Sequence, residues 1–240
     1  MNSSTQQEVQ AKYAITGKEY DSIRLEEPRG LLLSNFDIAL VEQMTRDVPR
    51  DGLVLETGAG TGRFTLPMIH AGFRPIATDV NESLLATLRE RLKAEGLESA
   101  CTVKNESIFE LTFPDAHFDF IYCLHVIPRL LSFEDQQRAI TEMTRTLKPG
   151  GKLLFNYWNK TSLLGRFKSG YVTPAAQMDE LLRTSHLNVT RRRGKRFLSK
   201  SVLKRLPLLG GRLLAALERP VGGLHPNGAW DVFVLAEKQA

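Results

Sequence analysis

A stretch of alternating glycines and small residues carries the strongest chemical signal in the sequence. Residues 54–67 read VLETGAGTGRFTLP, and an acid, Glu56, lies inside the apolar run that opens them. The three glycines of this loop are Gly58, Gly60 and Gly62. A glycine-rich turn that leads into a helix presents backbone N–H groups to an anion. Asp79 ends the next predicted strand, where a carboxylate can accept hydrogen bonds from ribose hydroxyls. The pattern predicts a ligand with a ribose and an anionic group.

Three nucleotide-type ligands compete for this loop. A nucleoside triphosphate requires Gly-x4-Gly-Lys-Ser/Thr, which the sequence does not contain. A dinucleotide requires Gly-x-Gly-x-x-Gly, and here the third glycine, Gly62, comes one residue early. S-adenosylmethionine fits best, because Glu56 can face the ammonium of its amino-acid tail while the loop amides take its carboxylate. An NAD(P)-dependent oxidoreductase on the same sheet stays open as an alternative.

The loop belongs to a regular alternation of predicted strands and helices. Strands are predicted at 53–57, 74–79, 100–105, 118–127, 152–158, 187–193 and 230–238. Helices are predicted at 34–47, 62–71, 82–96, 133–147 and 174–185, with Ser34 and Ser132 as N-caps and KPGG at 148–151 as a turn. Such an alternation forms a parallel, doubly wound sheet covered on both faces. Ligands bind beyond the carboxyl ends of its strands.

Several segments together resemble a known family. VLETGAGTGRFTLPMIHAGFRPIATDVNESLL (54–85), SIFELTFPDAHFDFIYCLHVI (107–127) and LKPGGKLLF (147–155) resemble the motifs of class I S-adenosylmethionine-dependent methyltransferases, in particular the ubiquinone/menaquinone-biosynthesis-like subgroup. The resemblance implies an α/β fold with a doubly wound, mostly parallel seven-stranded sheet, an N-terminal helical leader and a helical lid before the last strand. The implied domains are a leader (1–48), a cofactor-binding core (49–160), a basic lid (161–227) and the final strand (228–240).

The resemblance also implies which residues bind S-adenosylmethionine. The implied residues of the core are Glu56, Gly58, Ala59, Gly60, Gly62, Asp79, Val80, Ser107, Ile108, Cys123 and Leu124. Asp79 would bind the ribose, and Val80 would pack near the adenine. Ser107 stands where family members commonly carry an Asp that accepts from the adenine amino group. Tyr20 and Arg24 lie in the polar leader, which either folds over the cofactor or forms a solvated helix.

His125 is the candidate catalytic residue, because it follows the fourth predicted strand and a neutral imidazole suits a general base near neutral pH. The alternative is that His125 only bonds to backbone. Cys101 and Cys123 are interpreted as packed small residues rather than nucleophiles. The cysteines and histidines lack metal-ligand spacing, so we expect no metal.

The charge of the chain is unevenly distributed. Residues 181–217 contain ten Lys or Arg and no acid, whereas the rest contains 22 basic and 27 acidic residues. Apolar and basic faces within 191–217 predict either contact with a membrane surface or a lid that packs its leucines on the sheet.

We expect a cytoplasmic methyltransferase that acts on a small-molecule or lipid-linked acceptor, with O-methylation slightly favoured. Peripheral contact with the inner membrane face through residues 191–217 stays open. No nucleic-acid substrate is expected, because the stretch after the fourth strand, CLHVIPRL, lacks the Asn/Asp-Pro-Pro-aromatic motif. A methyltransferase-like scaffold without catalysis is a further alternative.

Overall fold

The computed structural model describes residues 28–162, 172–195 and 226–240. Its strands are β1 (Val54–Thr57), β2 (Pro75–Asp79), β3 (Thr102–Asn105), β4 (Phe118–Cys123), β5 (Leu147–Trp158), β6 (Leu187–Lys195) and β7 (Asp231–Lys238). Its α-helices are α1 (Pro28–Thr45), α2 (Thr65–His70), α3 (Glu82–Ala94), α4 (Phe133–Thr146) and α5 (Ala175–Thr184). In this part of the chain, no helix is long and apolar enough to cross a membrane.

The seven described strands form one sheet in the order β3-β2-β1-β4-β5-β7-β6. Neighbouring strands from β3 to β5 run parallel, whereas β7 pairs antiparallel with both β5 and β6. The predicted doubly wound, mostly parallel sheet is therefore confirmed. The strand order reverses between β1 and β4, and doubly wound sheets bind ligands at such a point.

Helices cover both faces of this sheet. On one face, Val41 and Met44 of α1 pack against Phe120 and Tyr122 of β4, and α2 and α3 extend the layer. On the other face, α4 and α5 pack against β4, β5 and β7. The apolar positions that predicted helix α3 are all buried: Leu84, Leu85, Leu88 and Leu92. Helical periodicity thus predicted which face of α3 meets the sheet.

Two helix starts differ from the prediction. Helix α1 begins at Pro28 rather than at residue 34, so Ser34 lies inside the helix and its predicted role as N-cap is wrong. Proline is favoured in the first turn of a helix, and this signal was overlooked. Helix α2 begins at Thr65 rather than at residue 62, because Gly62 has φ +90°, a left-handed conformation that an α-helix does not accept.

Two strand ends also differ. Strand β4 ends at Cys123 rather than at residue 127, because His125 turns the chain with φ +60°. The KPGG segment lies within β5 instead of forming a turn before it. The pairing of β4 with β5 shifts register between Phe118 and Phe120. Residues 148–151 are thus an irregularity inside a longer strand.

The remaining predicted strands and helices overlap the observed ones. Tyr20, Arg24 and most of the predicted lid lie outside the described residues, and the domain boundaries stay predictions.

The N-terminus of α4 is capped as the sequence predicts. The Ser132 hydroxyl accepts a hydrogen bond from the Asp135 N–H at 3.0 Å. We expect Ser132→Ala to lower the free energy of unfolding by about 1 kcal/mol in urea denaturation, because it leaves that amide without its cap. Ser83→Ala in the first turn of α3 is the control, with an expected change below about 0.5 kcal/mol. Equal effects of the two substitutions would contradict the capping role.

Candidate active site

The glycine loop between β1 and α2 is shaped by three left-handed residues. Gly58, Gly60 and Gly62 have φ values of +73°, +56° and +90°. A Cβ on Gly58 would lie 2.1 Å from Cγ2 of Val126, in the segment after β4. Among the described residues, a Cβ on Gly60 would have only Leu84 Cδ1 within 4 Å, at 4.0 Å. The loop therefore packs against the segment after β4 at Gly58, whereas the described residues leave it uncovered at Gly60.

The amides of this loop do not point freely at a ligand. The N–H groups of Gly58 and Ala59 both donate to the carbonyl of Thr78, at 2.7 and 2.9 Å. The Gly62 N–H donates to the Ala59 carbonyl at 3.0 Å. The expectation that the loop amides are free for a ligand carboxylate is therefore wrong for these residues. The glycines act instead by letting the backbone turn closely beside the ligand space.

Asp79 ends β2 and is tied to the same loop. Its Oδ2 accepts from the Gly60 N–H and its Oδ1 from the Asn81 N–H, each at 2.9 Å. Burial raises the pKa of Asp79 above its ordinary value, while these amide bonds act in the opposite direction. Each carboxylate oxygen has further acceptor capacity, so the side chain can still receive ribose hydroxyls. Val80 follows it, half-buried.

Glu56 lies beneath the loop at the centre of the sheet and is almost fully buried. The hydroxyls of Thr65 and Tyr122 both donate to its Oε2, at 2.5 and 3.0 Å. Burial raises the pKa of Glu56 to about 7, against the effect of these hydroxyls. Because both donors use Oε2, Oε1 is the oxygen left to face a ligand cation.

The predicted adenine end lies in the turn after β3. The Ser107 hydroxyl accepts from the Phe109 N–H at 3.3 Å, which holds the turn, and both Ser107 and Ile108 are half-buried. Glu106 points away, because its carboxylate accepts from the amide and hydroxyl of Thr112. The structure therefore leaves Ser107 as the polar side chain at this position.

The end of β4 and the residues that follow it contain three of the predicted site residues. Cys123, Leu124 and His125 are all buried. Burial raises the pKa of the Cys123 thiol to about 12, and that of Cys101 to about 12, so neither is a ready nucleophile. Within the described ranges, no three His, Cys, Asp or Glu side chains are grouped as metal ligands.

His125 is held by protein atoms on both ring nitrogens. Its Nε2 lies 3.1 Å from Asp37 Oδ2 of α1, and its Nδ1 lies 3.4 Å from Asn156 Nδ2 of β5. The Asn156 Oδ1 also accepts from the His125 backbone N–H at 2.6 Å. Asn156 thus holds His125 in its left-handed conformation. The structure neither brings a free ring nitrogen forward nor tests catalysis, so the role of His125 as a base stays a prediction.

These contacts belong to a closed set of side chains, here called the polar ring. Its members are Asp37, His125, Asn156, Asp231 and Lys195. Asn156 Nδ2 donates to Asp231 Oδ1 at 2.7 Å, Lys195 Nζ lies 3.4 Å from Asp231 Oδ2, and Lys195 also pairs with Asp37. The two aspartates are no more than 1% exposed. Arg63, after the last loop glycine, pairs with Asp37 and donates to Ser34 Oγ at 2.9 Å.

The sequence reasoning missed this polar ring entirely. In the sequence, Lys195 looks like part of the basic segment, and neither Asp37 nor Asp231 belongs to a recognisable motif. A usable signal was present, since Asp37 interrupts the apolar pattern of FDIAL and Asp231 opens that of DVFVL. A charged residue in such a place is rarely buried unless it is paired.

The described arginines of the basic segment are bound within the protein. Arg191 donates to the Met44 carbonyl at 2.8 Å and pairs with Asp47 at 2.6 Å. Arg192 pairs with Asp179 of α5. For residues 191–195 this favours packing on the body of the protein, and the rest of the segment lies outside the described residues.

Known proteins share this fold and these motifs. A methyltransferase domain family matches residues 55–155. The ubiquinone/menaquinone biosynthesis C-methyltransferase UbiE of Proteus mirabilis is 32% identical over 119 residues, which are 48% of this chain and 46% of that protein. The chain thus spans about half the length of the curated relatives it matches.

Solved structures are similar over most of the chain. An S-adenosylmethionine-dependent methyltransferase from Thermotoga maritima has a TM-score of 0.61 and 20% identity, over 97% of this chain and 99% of that one. Magnesium protoporphyrin IX methyltransferase from Synechocystis with bound S-adenosylhomocysteine has a TM-score of 0.60 and 14% identity, over 87% of this chain and 83% of that one. At these identities the likeness shows the fold.

A seven-stranded sheet with a glycine loop and an acidic strand end at its switch point defines a Rossmann-like class I methyltransferase domain. Residues 55–155 match the methyltransferase domain family, and the chain is similar there to the ubiquinone/menaquinone C-methyltransferases. The expected family resemblance is confirmed.

Gly58 is required both for its conformation and for the space beside Val126. We expect Gly58→Ala to lower the free energy of unfolding by about 2 to 4 kcal/mol, since a left-handed alanine and a steric overlap both destabilise. Gly150→Ala is the matched control, because Gly150 has φ +76° and no atom within 4 Å of an added Cβ. Urea denaturation should show a smaller loss there, and Val126→Ala should partly rescue Gly58→Ala. Equal losses at the two glycines would argue against the close approach.

The raised pKa of Glu56 makes stability depend on pH. Folded Glu56 keeps its proton up to about pH 7, whereas the unfolded group ionises near its ordinary value of 4.5. The folded state therefore binds more protons in this window, and its stability falls as pH rises from 4.5 to 7. We expect Glu56→Gln to remove up to about 3 kcal/mol of this fall in denaturation curves at pH 5 and pH 8. Glu90→Gln on the exposed side of α3 is the control; an identical pH slope in wild type and Glu56→Gln would refute the assignment.

Proposed function

We propose that the chain transfers a methyl group from S-adenosylmethionine to a small-molecule acceptor. The observation that carries this proposal is the convergence of Glu56, the glycine loop and Asp79 at the carboxyl ends of β1 and β2, where the described residues leave the Gly60 Cα uncovered. The matching domain family and the methyltransferase relatives support it. The matched relatives give no support to the NAD(P)-dependent alternative.

The residues present suit each part of this cofactor. Asp79 has acceptor capacity for ribose hydroxyls, and the Glu56 carboxylate would pair with the ammonium of the amino-acid tail. Val80 and Ile108 are half-buried apolar residues that would pack on the adenine, and Ser107 would offer it a hydroxyl. Ser107 is shorter than the Asp that family members commonly carry, so we assign adenine binding mainly to packing.

The cofactor supplies an electrophilic methyl group on a sulfonium whose leaving group departs neutral. The chain's own residues therefore have to position the two partners and keep water out, rather than stabilise a leaving anion. We assign this role to the buried residues Cys123 and Leu124 at the end of β4. A base is needed only for an acceptor that carries a proton, and His125 is our candidate for it.

The acceptor atom is proposed from the names of the curated relatives. The curated relatives are named C-methyltransferases, which favours carbon as the acceptor atom over the oxygen that the sequence slightly favoured. A lipid-linked acceptor and membrane contact through residues 191–217 rest on the sequence pattern alone. We propose a lipid-linked acceptor, and we propose that the residues beyond 195 contact a membrane surface.

Binding of the cofactor tests the proposal. We expect S-adenosylmethionine or S-adenosylhomocysteine, at 100 times its dissociation constant, to stabilise the wild-type chain by about 2.7 kcal/mol. Asp79→Asn should weaken binding in calorimetry by about tenfold or more, because charge-assisted bonds to ribose are lost. Asp115→Asn, at an exposed pair with Arg145, is the matched control. Incubation with a radiolabelled methyl donor and fractionated extract then identifies the acceptor fraction.

The outcomes separate the alternatives. Stabilisation by NAD(P) but not by either methionine derivative would replace the proposal with an oxidoreductase. Cofactor binding without label in any fraction would support the scaffold without catalysis. Label in the lipid fraction would support the lipid-linked acceptor.

A further inference from the structure

The polar ring joins five separate parts of the chain, and two of its members, Asp37 and Asp231, are buried carboxylates. Asp37 comes from α1, His125 from the turn after β4, Asn156 from β5, Lys195 from the end of β6 and Asp231 from the start of β7. Each member contacts two others, so the chain of contacts closes on itself. All five are buried, and His125 is the most exposed of them, at 9%.

Asp37 is the member that extends the ring to the glycine loop. Its Oδ2 faces both Arg63 and His125, and its Oδ1 faces Lys195. Arg63 directly follows Gly62, while His125 directly follows the residues that wall the other side of the site. The Asp37 carboxylate on α1 therefore contacts one residue that follows the glycine loop, Arg63, and one that follows β4, His125.

The contacts select one tautomer of His125. The Asp37 carboxylate only accepts, so Nε2 must carry a proton. The Asn156 amide nitrogen is a donor, and its orientation is fixed because Asn156 Oδ1 accepts from the His125 N–H while Nδ2 donates to Asp231. Nδ1 of His125 is therefore the nitrogen without a proton when the ring is neutral.

We propose that Asp37 is a positioning residue with two effects. It holds the glycine loop in place through Arg63, and it holds His125 in its Nε2–H tautomer. The effect of Asp37 on cofactor binding rests on the proposed function. Its effect on the His125 tautomer rests on the contacts alone. Asp37 touches neither the cofactor space nor an acceptor, and it acts through the two side chains that it holds.

The charges of the cluster explain why the test needs a compensated variant. With His125 neutral, the ion pairs among the described residues set two acids, Asp37 and Asp231, against two cations, Arg63 and Lys195. Asp37→Asn leaves two buried cations facing one acid, which is strongly destabilising. The double variant Asp37→Asn/Lys195→Met removes one charge of each sign, so it restores the balance while it still lacks the carboxylate.

The first test reads the tautomer of His125 by NMR of isotope-labelled imidazole nitrogens in the full chain, with the signal assigned from a His125→Gln variant. We expect the Nε2–H form in wild type and a mixture of tautomers in Asp37→Asn and in the double variant. Asp47→Asn is the matched control, because Asp47 lies just beyond the same helix in exposed pairs with Arg46 and Arg191. It should leave the signal unchanged.

The second test is calorimetric binding of S-adenosylhomocysteine. We expect the double variant to fold and to bind the ligand about tenfold or more weakly than wild type, since small displacements of a binding loop are costly. Asp47→Asn should bind within about twofold, as expected for exposed ion pairs. A purely structural role for Asp37 predicts instead that restored charge balance also restores binding.

The outcomes are distinct. A double variant with wild-type tautomer and wild-type affinity overturns the inference. If the wild-type chain does not bind the ligand, the proposed function and the loop part of this inference fall together. The NMR result then decides the His125 part by itself, because an unchanged tautomer in Asp37→Asn would overturn it.

Discussion

The close approach of the glycine loop to the segment after β4 is the constraint on which the site depends. Gly58 and Val126 leave no room for a Cβ between them, so a side chain at residue 58 would push the loop and the segment after β4 apart. The same approach lets the loop amides bond to the end of β2. The position of the ligand space thus depends on the contacts that hold the ends of β1, β2 and β4 together.

The core of the fold could be predicted because its signals are local. Helix α3 shows its buried leucines at helical spacing, and Ser132 marks the start of α4. The errors arose where a local signal was ambiguous. Ser34 has the residue type of an N-cap but lies within a helix that Pro28 begins, and KPGG has the residue types of a turn but lies within a strand.

The site could be predicted only in part, for a physical reason. Glu56, the glycines and Asp79 are recognisable because each lies directly at a strand end, and the chain order places them together. The polar ring depends instead on the antiparallel register of β6 with β7, which pairs Lys195 with Asp231 across a long insertion. No spacing in the sequence encodes that register, so Lys195 looked like one more member of a basic run.

The position of β6 at one edge of the sheet has a consequence for the behaviour of the protein in a crowded solution. An exposed edge strand can recruit a strand from another chain, and β6 carries several features that oppose this. A register shift interrupts it between Val189 and Arg191, consecutive arginines follow, and Lys195 points inward to a buried acid. At the opposite edge, β3 is short and bears Lys104. The residues that organise the interior thus also keep the sheet from growing beyond its own strands into an aggregate.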